Sequence, residues 1–124
     1  MIVALDIDGT IDESVELFHI LSTVLRSGGH RLIILTYRDP ARVSQTQEQL
    51  RDWGISYDEI VFAESLDDKG RICRELNVDV FFEDQDECIV PVDERTLVCK
   101  LRNGGNFDFE ERVWLSTDRL TRLL

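Results

Sequence analysis

Residues Ile2–Thr10 read IVALDIDGT. Four apolar residues, Ile2–Leu5, run straight into two carboxylates one residue apart, Asp6 and Asp8, with Gly9 and Thr10 behind them. A short apolar run that stops this abruptly reads as a buried strand, and the two acids then stand at the rim of a sheet. Ligands of open α/β sheets bind at that rim, outside the carboxyl ends of the strands. Two carboxylates there repel each other unless something binds between them. The pair suits a magnesium ion and an aspartyl nucleophile.

Outward from this stretch, strands and helices alternate. Ser14–Ser27 reads as a helix with Val15, Phe18, Leu21, Val24 and Leu25 on one face, ended by Gly28-Gly29. Arg31–Thr36 is a second strand. Asp39-Pro40 opens a second helix, which runs to Trp53 and stops at Gly54. Glu59–Ala63 is a third strand, and Asp67 or Asp68 caps a third helix carrying Ile72, Cys73 and Leu76. Val78–Phe82 and Thr96–Leu101 are the fourth and fifth strands, Asn103-Gly104-Gly105-Asn106 is a turn, and Phe109–Leu124 has the apolar spacing of a helix. Five short strands with helical crossovers predict one α/β, Rossmann-like domain over residues 1–124: a five-stranded parallel sheet with helices on both faces. The segments between strands are too short to hold an inserted cap domain.

The bulk numbers narrow the function. A length of 124 residues fits one core, and 43% hydrophobic residues is too many for a disordered chain. With 14 Lys+Arg against 25 Asp+Glu the formal charge is −11, which argues against broad binding of nucleic acid or anionic membranes. A small phosphorylated ligand is compatible with that charge if a metal and a few cations screen it locally. Cys73, Cys88 and Cys99 form no Cys-x-x-Cys pair and read as buried thiols in a reducing cytosol. No apolar run approaches the length of a membrane span, and the N-terminus lacks the basic region of a signal peptide. The expected location is cytoplasmic.

The other strand ends supply further chemistry. The second strand ends in Thr36, followed by Tyr37 and Arg38; a hydroxyl and the next backbone N–H can hold a phosphoryl oxygen. Arg38 can hold substrate or pair with Asp39 or Asp68. Lys69, at the start of the third helix, can neutralise a phosphate and a carboxylate together. The fourth strand ends in Glu83-Asp84-Gln85-Asp86-Glu87, which adds carboxylates beside the first strand if the two are neighbours. His19 and His30 read as structural or exposed, and Trp53 and Trp114 as core or interface anchors. Gly104-Gly105 lacks the strand-to-helix context of a phosphate loop.

Taken in order, Asp-x-Asp-Gly-Thr, Thr36, Lys69 and the acidic cluster resemble the haloacid dehalogenase superfamily, mostly magnesium-dependent phosphohydrolases. Leu50 through Phe82, with Tyr57-Asp58-Glu59-Ile60, is similar to small capless members near the capsule-biosynthesis phosphatases and the deoxyribonucleotidase-like group. The resemblance implies that Asp6 is the nucleophile and that Asp8 is the general acid and base. It implies that Thr36, with Tyr37 and Arg38 nearby, binds the phosphate, and that Lys69 steadies the nucleophile. It further implies Mg²⁺ on the Asp6 carboxylate, the Asp8 carbonyl and the Asp84 carboxylate. Glu83 stands where the family often has glycine or a second aspartate, and Asp86 and Glu87 follow unusually soon. Asp84 is favoured as metal ligand, then Glu83.

Three readings compete: a phosphomonoesterase of small phosphorylated substrates, a phosphoacceptor receiver domain, and a catalytically inactive module keeping Mg²⁺ and phosphate sites. The receiver needs its phosphorylated Asp after the third strand, where this chain has Phe62-Ala63-Glu64. An open, capless site also suits a roof supplied by a neighbouring subunit in a homo-oligomer.

Overall fold

The computed structural model describes residues 1–116. Its main sheet holds five parallel strands: β1 (Ile2–Leu5), β2 (Arg31–Thr36), β3 (Glu59–Phe62), β4 (Val80–Glu83) and β5 (Leu97–Lys100). The order is β3-β2-β1-β4-β5. The chain builds outward from β1 to β3, then crosses back to lay β4 on the other side of β1. The order therefore reverses between β1 and β4, and a crevice opens beyond their carboxyl ends.

Side-chain alternation along the strands divides the core in two. Val3, Leu5, Leu32 and Ile34 face α1 (Val15–Ser27) and α2 (Val43–Asp52), packing on Phe18 and Leu50. Ala4, Leu35 and Phe81 face the other way, onto Ile72 and Cys73 of α3 (Asp68–Glu75). The central strands are covered on both faces, which is why β2 reads as the unbroken apolar run LIIL rather than an alternating one. Val24 departs from the expected face of α1: it is exposed, and Phe18, Leu21 and Leu25 supply the packing.

Local signals set the element ends. Gly29 (φ +86°) and Gly54 (φ +70°) turn the chain after α1 and α2 in the left-handed region. The Asp39 side chain accepts from the Ala41 N–H and opens a 3-10 turn, Pro40–Arg42, that leads into α2. Asp67 takes the N-cap position of α3 as expected, but without a side-chain cap bond; the Ser65 hydroxyl accepts from the Asp68 N–H instead. Within the acidic segment a short helix forms, α4 (Asp86–Ile89). His19 meets the Gly54 carbonyl and His30 meets the N-terminal amine.

The tail is not helical over its described part. Phe107–Asp108 (β6) pairs antiparallel with Val113–Trp114 (β7). The Asp108 carboxylate accepts from the N–H groups of Glu110 and Glu111, and Arg112 takes a left-handed φ of 62° to close the turn. Phe107 meets Phe109 and Trp114 edge-to-face, with centroids 5.0 and 5.2 Å apart. Side-chain turn bonds and aromatic pairing outweigh a helical spacing of apolar residues here. The expected helix from residue 117 onward lies outside the described residues. Among the described residues no helix is long and apolar enough to cross a membrane.

Gly70 is fixed by packing: a Cβ there would lie 2.6 Å from the Pro91 carbonyl oxygen. Gly70→Ala should cost about 1–3 kcal/mol in urea unfolding. Gly104→Ala, where a Cβ meets nothing within 4 Å, should change stability by less than about 0.5 kcal/mol.

Candidate active site

Asp6 leaves the end of β1, its N–H donating to the Phe82 carbonyl of β4 at 3.0 Å. Its side chain lies on the α3 side of the sheet, the parity of Ala4, and Glu83 takes the same side after Phe81. Lys69 rises from the first turn of α3 between them. Its Nζ donates to Asp6 Oδ1 at 2.8 Å and Glu83 Oε2 at 2.7 Å, with all three residues buried. The other Glu83 oxygen accepts from the N–H groups of Asp84 and Gln85 at 3.1 and 3.2 Å.

Asp84 completes the acidic group. Ligand oxygens of Asp6, Glu83 and Asp84 lie within 4.8 Å of one another. The segment after β1 folds over this group. Gly9 (φ +85°) packs so closely that a Cβ would stand 2.2 Å from Asp84 Oδ2. Asn103 Nδ2 donates both to the Gly9 carbonyl at 2.8 Å and to Asp84 Oδ2 at 3.1 Å. Asn106 Nδ2 donates to the Asp84 carbonyl at 2.8 Å. Asp84 Oδ1 is buried with no partner, as is Thr36 Oγ1 at the end of β2. Buried polar atoms are almost always bonded; Glu87 Oε2 is a third such atom away from the acidic group, and the two at the ends of β2 and β4 are open to a bond from a ligand.

The electrostatics favour a cation. Asp6, Glu83 and Asp84 oppose Lys69 alone, which leaves two formal negative charges in excess in a buried site. Burial pushes the Asp6 carboxyl above the usual carboxylate range; Lys69 offsets only part of this, and Asp84 adds to the rise. Burial and the nearby Asp6 push Glu83 higher still. Burial alone would lower the Lys69 ammonium, but Asp6 and Glu83 outweigh it and hold Lys69 well above its ordinary value. The donor set of oxygens only, with the orphaned Asp84 Oδ1, fits a hard divalent cation. Burial also pushes the nearby Cys73 thiol up to about 12, a poor nucleophile.

Asp8 stands apart from this group and is the more exposed acid, with 48% of its side chain accessible. Arg38 clasps it with two bonds: Nε to Oδ2 at 3.0 Å and Nη2 to Oδ1 at 2.8 Å. The Arg38 partner is thus neither Asp39 nor Asp68, which bond to Ala41 and Arg71 instead. Arg38 Nη1 donates to Gln49 Oε1 at 2.7 Å and Thr46 Oγ1 at 3.3 Å on α2. Each Asp8 oxygen keeps a second lone pair, so the clasp aims the carboxylate without filling it. Tyr37 is half-buried just after β2.

No family model and no curated protein matches the chain. Two solved structures are similar in shape. One is a chain of a Pnkp1/Rnl/Hen1 complex, with TM-score 0.58 and 16% identity over 80% of this chain. The match spans 45% of that chain, so this protein corresponds to less than half of it. The other is a universal stress protein in complex with cAMP, with TM-score 0.51 and 14% identity over 81% of this chain and 96% of that one. At these identities the likeness shows the fold: a parallel α/β sheet of Rossmann-like type.

Of the residues singled out by sequence, Asp6, Lys69, Glu83 and Asp84 come together at the β1–β4 crevice, and Asp8 pairs with Arg38 beside it. Glu83 belongs to this group, with Lys69 on one of its oxygens and two backbone N–H groups on the other. Asp86 is turned to Lys100, and neither Asp86 nor Glu87 joins the buried acidic group. The asparagines at 103 and 106 were legible only as turn formers. Asn103 bonds Gly9 and Asp84 across 94 and 19 residues, and Asn106 bonds Asp84 across 22, beyond any local pattern.

Lys69→Met would leave Asp6 and Glu83 buried without their cation, and should cost about 3–5 kcal/mol in urea unfolding with chelator present. Both carboxyls have raised folded-state values, so above the ordinary 3.8 and 4.5 the folded chain binds more protons than the unfolded one. Stability then falls as pH rises. Removing the ammonium that lowers both carboxyls raises them further in the variant, so its stability falls more steeply with pH and its deficit against wild type should shrink as pH is lowered from neutral towards the ordinary carboxylate range; a deficit that stays constant would contradict it.

Proposed function

We propose that the protein is a Mg²⁺-dependent phosphomonoesterase of the haloacid dehalogenase type, acting through an aspartyl-phosphate. The observation that carries this reading is the buried Asp6–Lys69–Glu83 triad beside Asp84, whose Oδ1 lacks a partner. The resemblance of Asp6-Ile7-Asp8-Gly9-Thr10 and of the ordered Thr36, Lys69 and Asp84 supports it independently. Mg²⁺ would be held by the Asp6 and Asp84 carboxylates with the Asp8 carbonyl, and would neutralise the charge that otherwise repels a phosphate dianion.

In the first half-reaction an Asp6 oxygen bonds to phosphorus as the ester P–O bond breaks, and the leaving oxygen takes a proton from Asp8. Lys69 holds Asp6 Oδ1, so the other oxygen, Oδ2, is the attacking atom; Thr10 Oγ1 donates to it at 3.3 Å. In the second half, water gives its proton to Asp8 and attacks phosphorus, and the P–O bond to Asp6 breaks. Thr36 Oγ1, buried without a partner, donates to a phosphoryl oxygen. Arg38 keeps Asp8 pointed at the leaving group.

The test is phosphate release from an aryl phosphate. Activity should require Mg²⁺, vanish with chelator and return on adding the metal. Asp6→Asn, shown folded by circular dichroism, should lose about 10³-fold or more. Mg²⁺ and phosphate binding without turnover would instead identify an inactive binding module. Thr36→Val should raise KM about tenfold yet leave stability unchanged or better, because it removes a buried unsatisfied hydroxyl; a loss of stability would show that the hydroxyl has a structural partner.

A further inference from the structure

Beside the Asp8–Arg38 pair lies a cleft of about 200 Å³, lined by Arg38, Arg42, Gln45, Thr46 and Gln49. It has room for a group about the size of six waters. Arg38 forms its buried wall, only 4% exposed, with donors committed to Asp8, Thr46 and Gln49. Arg42 and Gln45 stand in the open, one helical turn apart along the same cleft. Arg42 makes no ion pair among the described residues. In a chain of net charge −11, an arginine without an ion pair among the described residues, on the wall of a cleft that holds no acid, is placed for an anion from outside. Arg38 both holds Asp8 and walls the cleft, so a leaving group whose oxygen meets Asp8 has this cleft within reach past Arg38.

We propose that the cleft is the leaving-group subsite, and that Arg42 selects phosphomonoesters whose leaving group carries a second anion, a carboxylate or another phosphate, a few bonds from the ester. The inference rests on the phosphatase reading above. Arg42 grips that anion through charge-assisted hydrogen bonds, with Gln45 and Gln49 as further polar contacts. Arg38 takes no part in this grip and serves as the positioning residue for Asp8.

Three matched compounds decide it: glycerol 3-phosphate, 3-phosphoglycerate and glycerol 1,3-bisphosphate, assayed with Mg²⁺ at low ionic strength, where exposed charges are least screened. The wild type should prefer an anionic compound over glycerol 3-phosphate by about tenfold in kcat/KM, and the better of the two anions names the source. Arg42→Gln should bring the ratio near one through KM, and Arg42→Glu should invert it. Equal use of all three by the wild type, or a preference that survives Arg42→Gln, overturns the subsite. If none is hydrolysed, the phosphatase reading fails by itself, and calorimetry of the same three compounds judges the cleft. Tighter binding of an anionic compound that Arg42→Gln abolishes supports it, and equal affinities overturn it.

Discussion

One ammonium between two carboxylates organises the carboxyl end of this sheet. Asp6 and Glu83 close neighbouring strands on the same side, and without Lys69 they would be two like charges buried together. A pair of that kind is a strong liability when its cation is missing and at best a modest gain when it is present. Its value here is geometric. Lys69 ties α3 to the ends of β1 and β4, takes one oxygen of Asp6, and so leaves the other oxygen facing the crevice.

The second organising layer is indirect. Asp84 is oriented by groups that never touch a reacting atom: Gly9 packs against its carboxylate, Asn103 bonds it, and Asn106 holds its backbone. Outer contacts of this sort fix the direction of a metal-binding carboxylate as surely as the ligand set fixes its charge. Asp8 is treated in the same way from the opposite flank, where Arg38 is itself braced by Thr46 and Gln49. The two acids of the Asp-x-Asp motif thus belong to separate environments. Asp6 is buried and shares a lysine, whereas Asp8 is half-exposed and clasped by an arginine. One sequence motif supplies a buried, fixed carboxylate and a solvent-facing one.

Much of this was readable from the chain. The Ile2–Leu5 run ending at Asp6 located β1 to the residue, and Arg31–Thr36 located β2, because buried parallel strands are written as short apolar runs with sharp ends. Thr36 and Lys69 gained meaning from their order. Strand order was not readable: only tertiary structure brings β4 against β1, and with it Asp84 towards Asp6. The Arg38–Asp8 clasp links residues 30 apart; Asp39 beside Arg38 and Asp68, equally distant, were as plausible along the chain, and only the fold selects Asp8. The tail from Phe109 reads as helix because of its apolar content, Val113 and Leu115 among it, while the features that decide the hairpin, the Asp108 turn bonds and the left-handed Arg112, leave no periodic trace.

The asparagine turn has a consequence for what counts as the working unit. The five strands end at Lys100, yet the side chains that steady Asp84 arrive only afterwards, at 103 and 106. A chain cut at the end of the sheet would keep every ladder of the five-stranded sheet and still lose the brace on its acidic centre. In this protein the boundary of the fold and the boundary of the chemistry are different places.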